Sequence, residues 1–243
     1  MIEQKHREIL EMGLRNLKIE ASNKIVEEFL LYLELLIETN KEFNLTSITE
    51  STEVIYKHFI DSLTVVPFLD KENNIHIIDV GTGAGFPGIP VKIIKPDYKV
   101  TLVDSTKKKV NFLKMVSDNL RLKGLECLHA RAEELARNTD YREKYDMALS
   151  RALAPLNLLL ELCLPFVKVG GTFIAYKSKE AYNEIDMAKK ALEVLGGQIV
   201  DVKELEIPGL EGERNLVFVK KITAISSIYP RRPGVPQKKP IHT

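Results

Sequence analysis

A chain of 243 residues, 44% hydrophobic and 28% charged, has the composition of an ordinary globular protein and is long enough to bury a sizeable core. Its 35 lysines and arginines against 34 aspartates and glutamates leave a net charge of +1, so no global charge argues for nucleic acid and any basic face must be local. Cys127 and Cys163 lack CxxC spacing and the five histidines are scattered, which argues against a disulfide framework and against a metal site.

The start, Met1 to Lys5, is too polar for a signal peptide, and no run of about 18 uninterrupted apolar residues follows. The expectation is a cytoplasmic protein without a membrane span. Ile9, Met12, Leu14 and Leu17 predict a weakly amphipathic helix over 3–17, interrupted by Gly13. Ser22 caps a stronger one, with Ile25, Val26, Phe29, Leu30, Leu33, Leu36 and Ile37 on one face. Residues 43–48 read as a loop, and a third helix starts at Ser51 or Thr52, carries Tyr56, His58, Phe59, Asp61 and Ser62, and ends near Pro67. Residues 1–70 are therefore expected to be a helical extension.

From Ile75 strands and helices alternate, the pattern of a mostly parallel sheet covered on both faces. Strands are predicted at 75–80, 99–104, 125–128, 145–150 and 172–176, the last entered by a turn at Gly170-Gly171. Helices are predicted up to Pro96, from a Ser105 cap to Leu122, at 132–136, at 156–164 and at 179–195. Two further strand-like runs, 199–207 and 215–220, have only Pro208-Gly209-Leu210-Glu211-Gly212 between them, which predicts a hairpin closing the domain at 71–225. The tail, 226–243, is rich in proline and base. After Glu213 the chain has seven lysines and arginines and no acid.

The chemistry concentrates at Asp79-Val80-Gly81-Thr82-Gly83-Ala84-Gly85-Phe86-Pro87-Gly88, where a strand meets a helix start. Glycines there let a ligand lie against the backbone. Gly83 to Gly88 fits GxGxxG, and Asp104 lies where a ribose-binding acid belongs, so a nicotinamide-dependent dehydrogenase is one reading. The register anchored on the strand end is instead Asp79-x-Gly81-x-Gly83-x-Gly85, with an acid that would repel a pyrophosphate. S-adenosylmethionine, cationic and without phosphate, fits better: Asp79 near its methionine end, Asp104 on its ribose. The competing role for Asp79 is to cap a neighbouring backbone N–H. The closing hairpin supports a methyltransferase sheet.

At this point the sequence resembles the bacterial 16S ribosomal RNA (guanine-N7) methyltransferases, the glucose-inhibited division protein B family. The resemblance runs nearly end to end: Asn44 to Ile48, His58 to Leu63, Asp79 to Gly88, Thr101 to Ser105, Arg131 to Glu134, Ser150 to Ala152, and Tyr229-Pro230-Arg231 with Pro240-Ile241. It implies a class I S-adenosylmethionine-dependent, Rossmann-like α/β fold with a seven-stranded mixed sheet, and methyl transfer to N7 of a guanine in the decoding-region loop of the small-subunit RNA. By matched position, Gly81, Phe86, Ala132, Glu133 and Arg151 resemble the family's cofactor contacts, beside Asp79, Gly83, Gly85 and Asp104. The chain departs from the family at Lys177-Ser178-Lys179, where many members have lysine followed by glycine.

N7 of guanine carries an in-plane lone pair and no proton, so attack needs no general base and rests on alignment. Arg151, Asn44, His58 and Lys177 are the candidates for aligning the base. Arg214, Arg231, Arg232, Lys238 and Lys239 are the candidates for phosphate contacts. The expected partner is 16S ribosomal RNA, as the small ribosomal subunit or its assembly intermediate, bound by a monomer. A methyltransferase for a small molecule or protein, and a non-catalytic RNA-binding adaptor on the same fold, are the other rivals.

Overall fold

The computed structural model describes residues 4–69, 74–210 and 212–242. Helices α1 (Gln4–Asn16) and α2 (Asn23–Glu42) turn Leu10, Leu14, Phe29, Tyr32, Leu33 and Leu36 inward. Ser22 accepts the Ile25 N–H at the start of α2, as its type at that position predicts. Gly13 does not interrupt α1: a Cβ there would stand 2.5 Å from Ile60 Cδ1, so the glycine admits a close helix contact. The third helix starts at Ser51, as expected, and is capped by Glu50, whose carboxylate accepts the Glu53 N–H at 2.7 Å. It is composite, with α3 (Ser51–Val54), a π-helical segment Ile55–Ile60 and α4 (Asp61–Leu63).

Then follow β1 (His76–Val80), α5 (Gly88–Ile94), β2 (Lys99–Asp104), α6 (Lys107–Leu120), β3 (Leu125–His129), α7 (Ala132–Leu135), β4 (Tyr145–Arg151), α8 (Leu156–Cys163), β5 (Val167–Lys177), α9 (Ala181–Met187), α10 (Lys189–Leu195), β6 (Gly197–Leu205), β7 (Arg214–Lys221) and α11 (Val235–Lys238). The seven strands form one mixed sheet in the order β3-β2-β1-β4-β5-β7-β6. β1 to β5 run parallel to one another, and β7 is inserted antiparallel between β5 and β6. The chain reverses beside β1, leaving the carboxyl ends of β1 and β4 facing a crevice.

Successive β1 residues point to opposite faces: Ile77 joins the core beneath α1, α2, α5 and α6, and Ile78 the core beneath α8, α9 and α10. Three sequence expectations are corrected. Ser105 does not cap α6: Thr106 stands at the cap position and its N–H is held by the Asp104 carboxylate. Gly170-Gly171 do not start β5, which runs through them from Val167. The predicted helix over 179–195 is two helices meeting at Ala188. The tail is folded onto the domain, with Ile225, Tyr229 and Ile241 packed on the second core.

Candidate active site

The glycine loop turns because Gly81, Gly83 and Gly85 take φ of 72°, 62° and 105°, a region costly to residues with a Cβ. Asp79 is fully buried beneath it, and its Oδ2 accepts Thr82 Oγ1 at 2.6 Å and the Gly88 N–H at 2.8 Å. It fastens the loop's first turn to the start of α5 and does not line the crevice, so its position is that of a backbone cap rather than a ligand contact. Burial pushes its carboxyl up to about 7, against the lowering effect of those two bonds, and its Oδ1 has no partner. Asp104 sits at the mouth: Oδ2 accepts the Gly83 N–H at 3.0 Å and Oδ1 the Thr106 N–H at 2.8 Å. From the other side, the Tyr32 hydroxyl of α2 donates to the Ala84 carbonyl, a contact no local sequence pattern signals.

Two cavities open here. The first, about 400 Å³, is lined by Gly81, Asp104, Ala132 and Glu133, and also by Gln237 and Pro240 of the tail. Its lining holds two carboxylates and one arginine, Arg131. A Cβ built on Gly83 would meet nothing within 4 Å. The Gly81 backbone beside the strand-end Asp104 carboxylate, with Glu133 on the same wall, suits a ribose-bearing, positively charged ligand, so these residues fit S-adenosylmethionine. Gly83, Gly85, Phe86 and Arg151 are not on this lining, although the Gly83 N–H holds the Asp104 carboxylate that is. Phe86 is buried and stacks on His58 and on Tyr32, with centroids 4.5 and 5.5 Å apart.

The second cavity, about 700 Å³, adjoins the first across Leu153, Ala154 and Pro155, which line both. Lys57, Arg151, Lys177 and Arg214 line it, against the carboxylates of Asp61 and Glu184. Arg151 Nη1 donates to Asp61 at 2.6 Å and to the Lys57 carbonyl at 2.7 Å, and its guanidinium lies 5.3 Å from the Phe86 ring centroid. Arg214 Nε reaches the other Asp61 oxygen at 3.2 Å. His58 is neutral, because burial and then the Arg151 charge lower its pKa to about 3. Arginine only donates, so His58 Nδ1 accepts from Arg151 Nη2 at 2.9 Å and Nε2–H donates to Thr46 Oγ1 at 2.8 Å.

The four predicted base-aligning residues thus divide. Arg151 and His58 are brought together. Lys177 lines the cavity, but its ammonium is bound to Glu184 and to the Ala154 carbonyl, both at 2.6 Å, and holds the shared wall. Burial is the main cause lowering its pKa. Asn44 is exposed in its loop and lines neither cavity; Asn40 secures that loop, its Oδ1 accepting the N–H groups of Leu45 and Thr46. Of the basic candidates, Arg214 borders the second cavity, and Arg232, Lys238 and Lys239 are exposed. Arg231 is bound to Glu161, a side chain only 1% exposed, with Nη2 to Oε2 at 2.6 Å.

Among the described residues no group of three or more His, Cys, Asp or Glu is placed to hold a metal, and no helix is long and apolar enough to cross a membrane.

The family model described as rRNA small subunit methyltransferase G matches residues 25–217. The chain is 46% identical over 239 residues to the ribosomal RNA small subunit methyltransferase G of Acetivibrio thermocellus, covering 98% of each chain. It is 48% identical over 223 residues to the protein so named from Bacillus cytotoxicus, covering 92% of this chain and 93% of that one. Among solved structures it resembles a SAM-dependent methyltransferase from Aquifex aeolicus, with TM-score 0.54, 17% identity, and 76% and 98% coverage. A predicted O-methyltransferase from Agrobacterium tumefaciens gives TM-score 0.54 at 18% identity, covering 68% of this chain and 83% of that one. These two likenesses bear on the fold alone.

Proposed function

Since the chain belongs to the rRNA small subunit methyltransferase G family, we propose that it transfers a methyl group from S-adenosylmethionine to N7 of a guanine in 16S ribosomal RNA. The observation that carries this reading is the pair of cavities at the strand ends, one fitted to the cofactor and the other lined by cations, with only residues 153–155 between them.

S-adenosylmethionine, when bound, supplies an electrophilic methyl on a sulfonium. Asp104 would accept from its ribose hydroxyls, and Gly81, Ala132 and Glu133 would form the walls around the remainder. Arg151, clamped by Asp61 and His58, gives the second cavity a rigid donor face for a base or its phosphate. No residue here has to remove a proton, because N7 has none; the neutral His58 positions Arg151 and the 44–48 loop. The rate enhancement then comes from holding the base in line with the methyl while Leu153, Ala154 and Pro155 set the separation. The product base is cationic, and the Asp61 and Glu184 carboxylates lie in the same cavity to offset it.

In this reading the protein acts as a cytoplasmic monomer on the small subunit or an assembly intermediate. The helices of 1–70 and the tail of 226–243 deliver RNA to the methyltransferase domain of 71–225, with Arg214, Arg232, Lys238 and Lys239 on phosphates. The test is incubation of small subunits from a deletion strain with the protein and methyl-labelled cofactor, then mapping of the modified base. Label at N7 of one 16S guanine is the expected result; label in protein or small molecules only would overturn it.

A further inference from the structure

Residues 229–242 run across α8 and end against the first cavity. Arg142 donates to the carbonyls of Ile225 at 2.9 Å and Tyr229 at 2.8 Å, and Arg137 to that of Pro230 at 2.6 Å. Arg231 then fixes the strap, its backbone N–H and guanidinium both donating to the buried Glu161 at 2.6 to 3.2 Å. Further on, the Gly234 N–H donates to Glu133 Oε1 at 3.1 Å, and Asn157 Nδ2 donates to the Ile241 carbonyl at 3.2 Å. Between these two fixings stand Gln237 and Pro240, on the cavity wall. The Gln237 carboxamide is exposed and makes no hydrogen bond among the described residues.

We propose that this strap is the outer wall of the cofactor cavity, with Gln237 in direct contact with the adenine of S-adenosylmethionine and Arg231, through Glu161, as its positioning residue. The inference rests on the cofactor named above and adds a site residue outside the glycine loop and the strand ends. Its geometry follows from the chemistry. The methyl must face the second cavity across residues 153–155, and Asp104 takes the ribose, so the adenine occupies the opposite end, beside Ala132 and Glu133. That is the end to which Gly234 ties the strap. Adenine presents an amine donor at N6 next to an acceptor at N1, and a carboxamide offers the complementary acceptor and donor in one plane.

Calorimetric titration of the full chain with S-adenosylmethionine tests this. Gln237 is exposed, so Gln237→Ala keeps the fold; its Kd should rise about tenfold, the loss of one or two hydrogen bonds. Arg231→Ala should weaken binding at least as much, and the double variant should bind no more weakly than Arg231→Ala, because a released strap no longer presents Gln237. Arg231→Lys should recover part of the affinity, and it decides the positioning role if Arg231→Ala does not fold. Unchanged affinity in Gln237→Ala, with the wild type binding, would mean a solvated side chain and overturn the proposal. Losses that multiply in the double variant would remove Arg231 as a positioning residue. A wild type that binds no S-adenosylmethionine overturns the proposed function instead.

Discussion

The imidazole of His58 lies on the ring of Phe86, with planes 15° apart and centroids separated by 4.5 Å. His58 belongs to the π-helical segment and Phe86 to the glycine loop, so one stacked pair joins the wall of the second cavity to the loop bordering the first. π-Helical turns inside α-helices recur at functional sites, and here the turn contains the residue that holds Arg151 from one side and Thr46 from the other. The cofactor loop and the proposed RNA pocket are therefore packed directly against each other through this pair.

His58 and, beneath the same loop, Asp79 of β1 give the molecule two opposed acid responses. His58 titrates at about 3 when folded against 6.5 for the free side chain, so below 6.5 the unfolded chain binds more protons and stability falls as pH drops. Asp79 titrates at about 7 when folded against 3.8, so below 7 the folded chain holds the extra proton and stability rises as pH drops. The two effects offset each other in wild type between about 4 and 6.5. His58→Gln should gain stability relative to wild type as pH is lowered through that window, and Asp79→Asn should lose it. Each slope is bounded by about 1.4 kcal/mol per pH unit. Urea unfolding at several pH values reads both, and parallel profiles for the two variants would refute the assignment.

Arg151 answers to three acceptors from two nitrogens, a spread that the planar fork of a guanidinium spans and the single nitrogen of a lysine does not. Arg151→Lys should keep the Asp61 ion pair, lose the geometry toward His58 and the Lys57 carbonyl, and lower methyl transfer by at least about tenfold. Arg151→Ala leaves the buried Asp61 to Arg214 alone. It should cost about 3 kcal/mol of stability, the low end for breaking a buried pair, because Arg214 still offsets the charge. Single-turnover rates and denaturant unfolding separate the two losses.

Charge reversal in the tail should distinguish RNA binding from strap anchoring. Arg232→Glu, Lys238→Glu and Lys239→Glu together leave Arg231–Glu161 intact, so cofactor affinity should hold while RNA methylation drops. The salt dependence of RNA binding should flatten by roughly one unit of slope for each phosphate that is no longer neutralised. An unchanged slope in filter binding across salt concentrations would take the tail off the RNA.

The β1 run, the strand–glycine–helix transition after it and the antiparallel closing hairpin were legible because each is a local pattern with one physical solution. Other features depend on contacts between distant residues. A π segment has nearly the apolar spacing of an α-helix, so 51–63 reads as one helix until its backbone is seen. Asp79 could serve a ligand or the loop, and only its full burial under Gly88 decides for the loop. Lys177 reads as a free cation because its partner Glu184 arrives on α9, and Gln237 reads as tail because the wall it joins is built by Gly81, Asp104 and Glu133. Basic residues in a proline-rich end suggest phosphate contacts; the acid that binds Arg231 is on α8, at Glu161.

The glycines of the loop predict a separation of folding from binding. A Cβ on Gly85 would stand 2.6 Å from both Ile89 Cδ1 and the Tyr32 hydroxyl, at φ 105°. Gly85→Ala must therefore break the packing between α2 and the loop, and it should lower stability by several kcal/mol, above the roughly 1–2 kcal/mol of backbone strain alone. A Cβ on Gly83 meets nothing within 4 Å and carries only the strain of φ 62°. Gly83→Ala should keep the fold, lose about 1–2 kcal/mol, and lose S-adenosylmethionine affinity out of proportion to that cost, since the strained turn would shift the Gly83 N–H that holds the Asp104 carboxylate at the cavity. Thermal unfolding and calorimetry on the two variants give the comparison, and equal cofactor affinity in Gly83→Ala and wild type would place the ligand away from this turn.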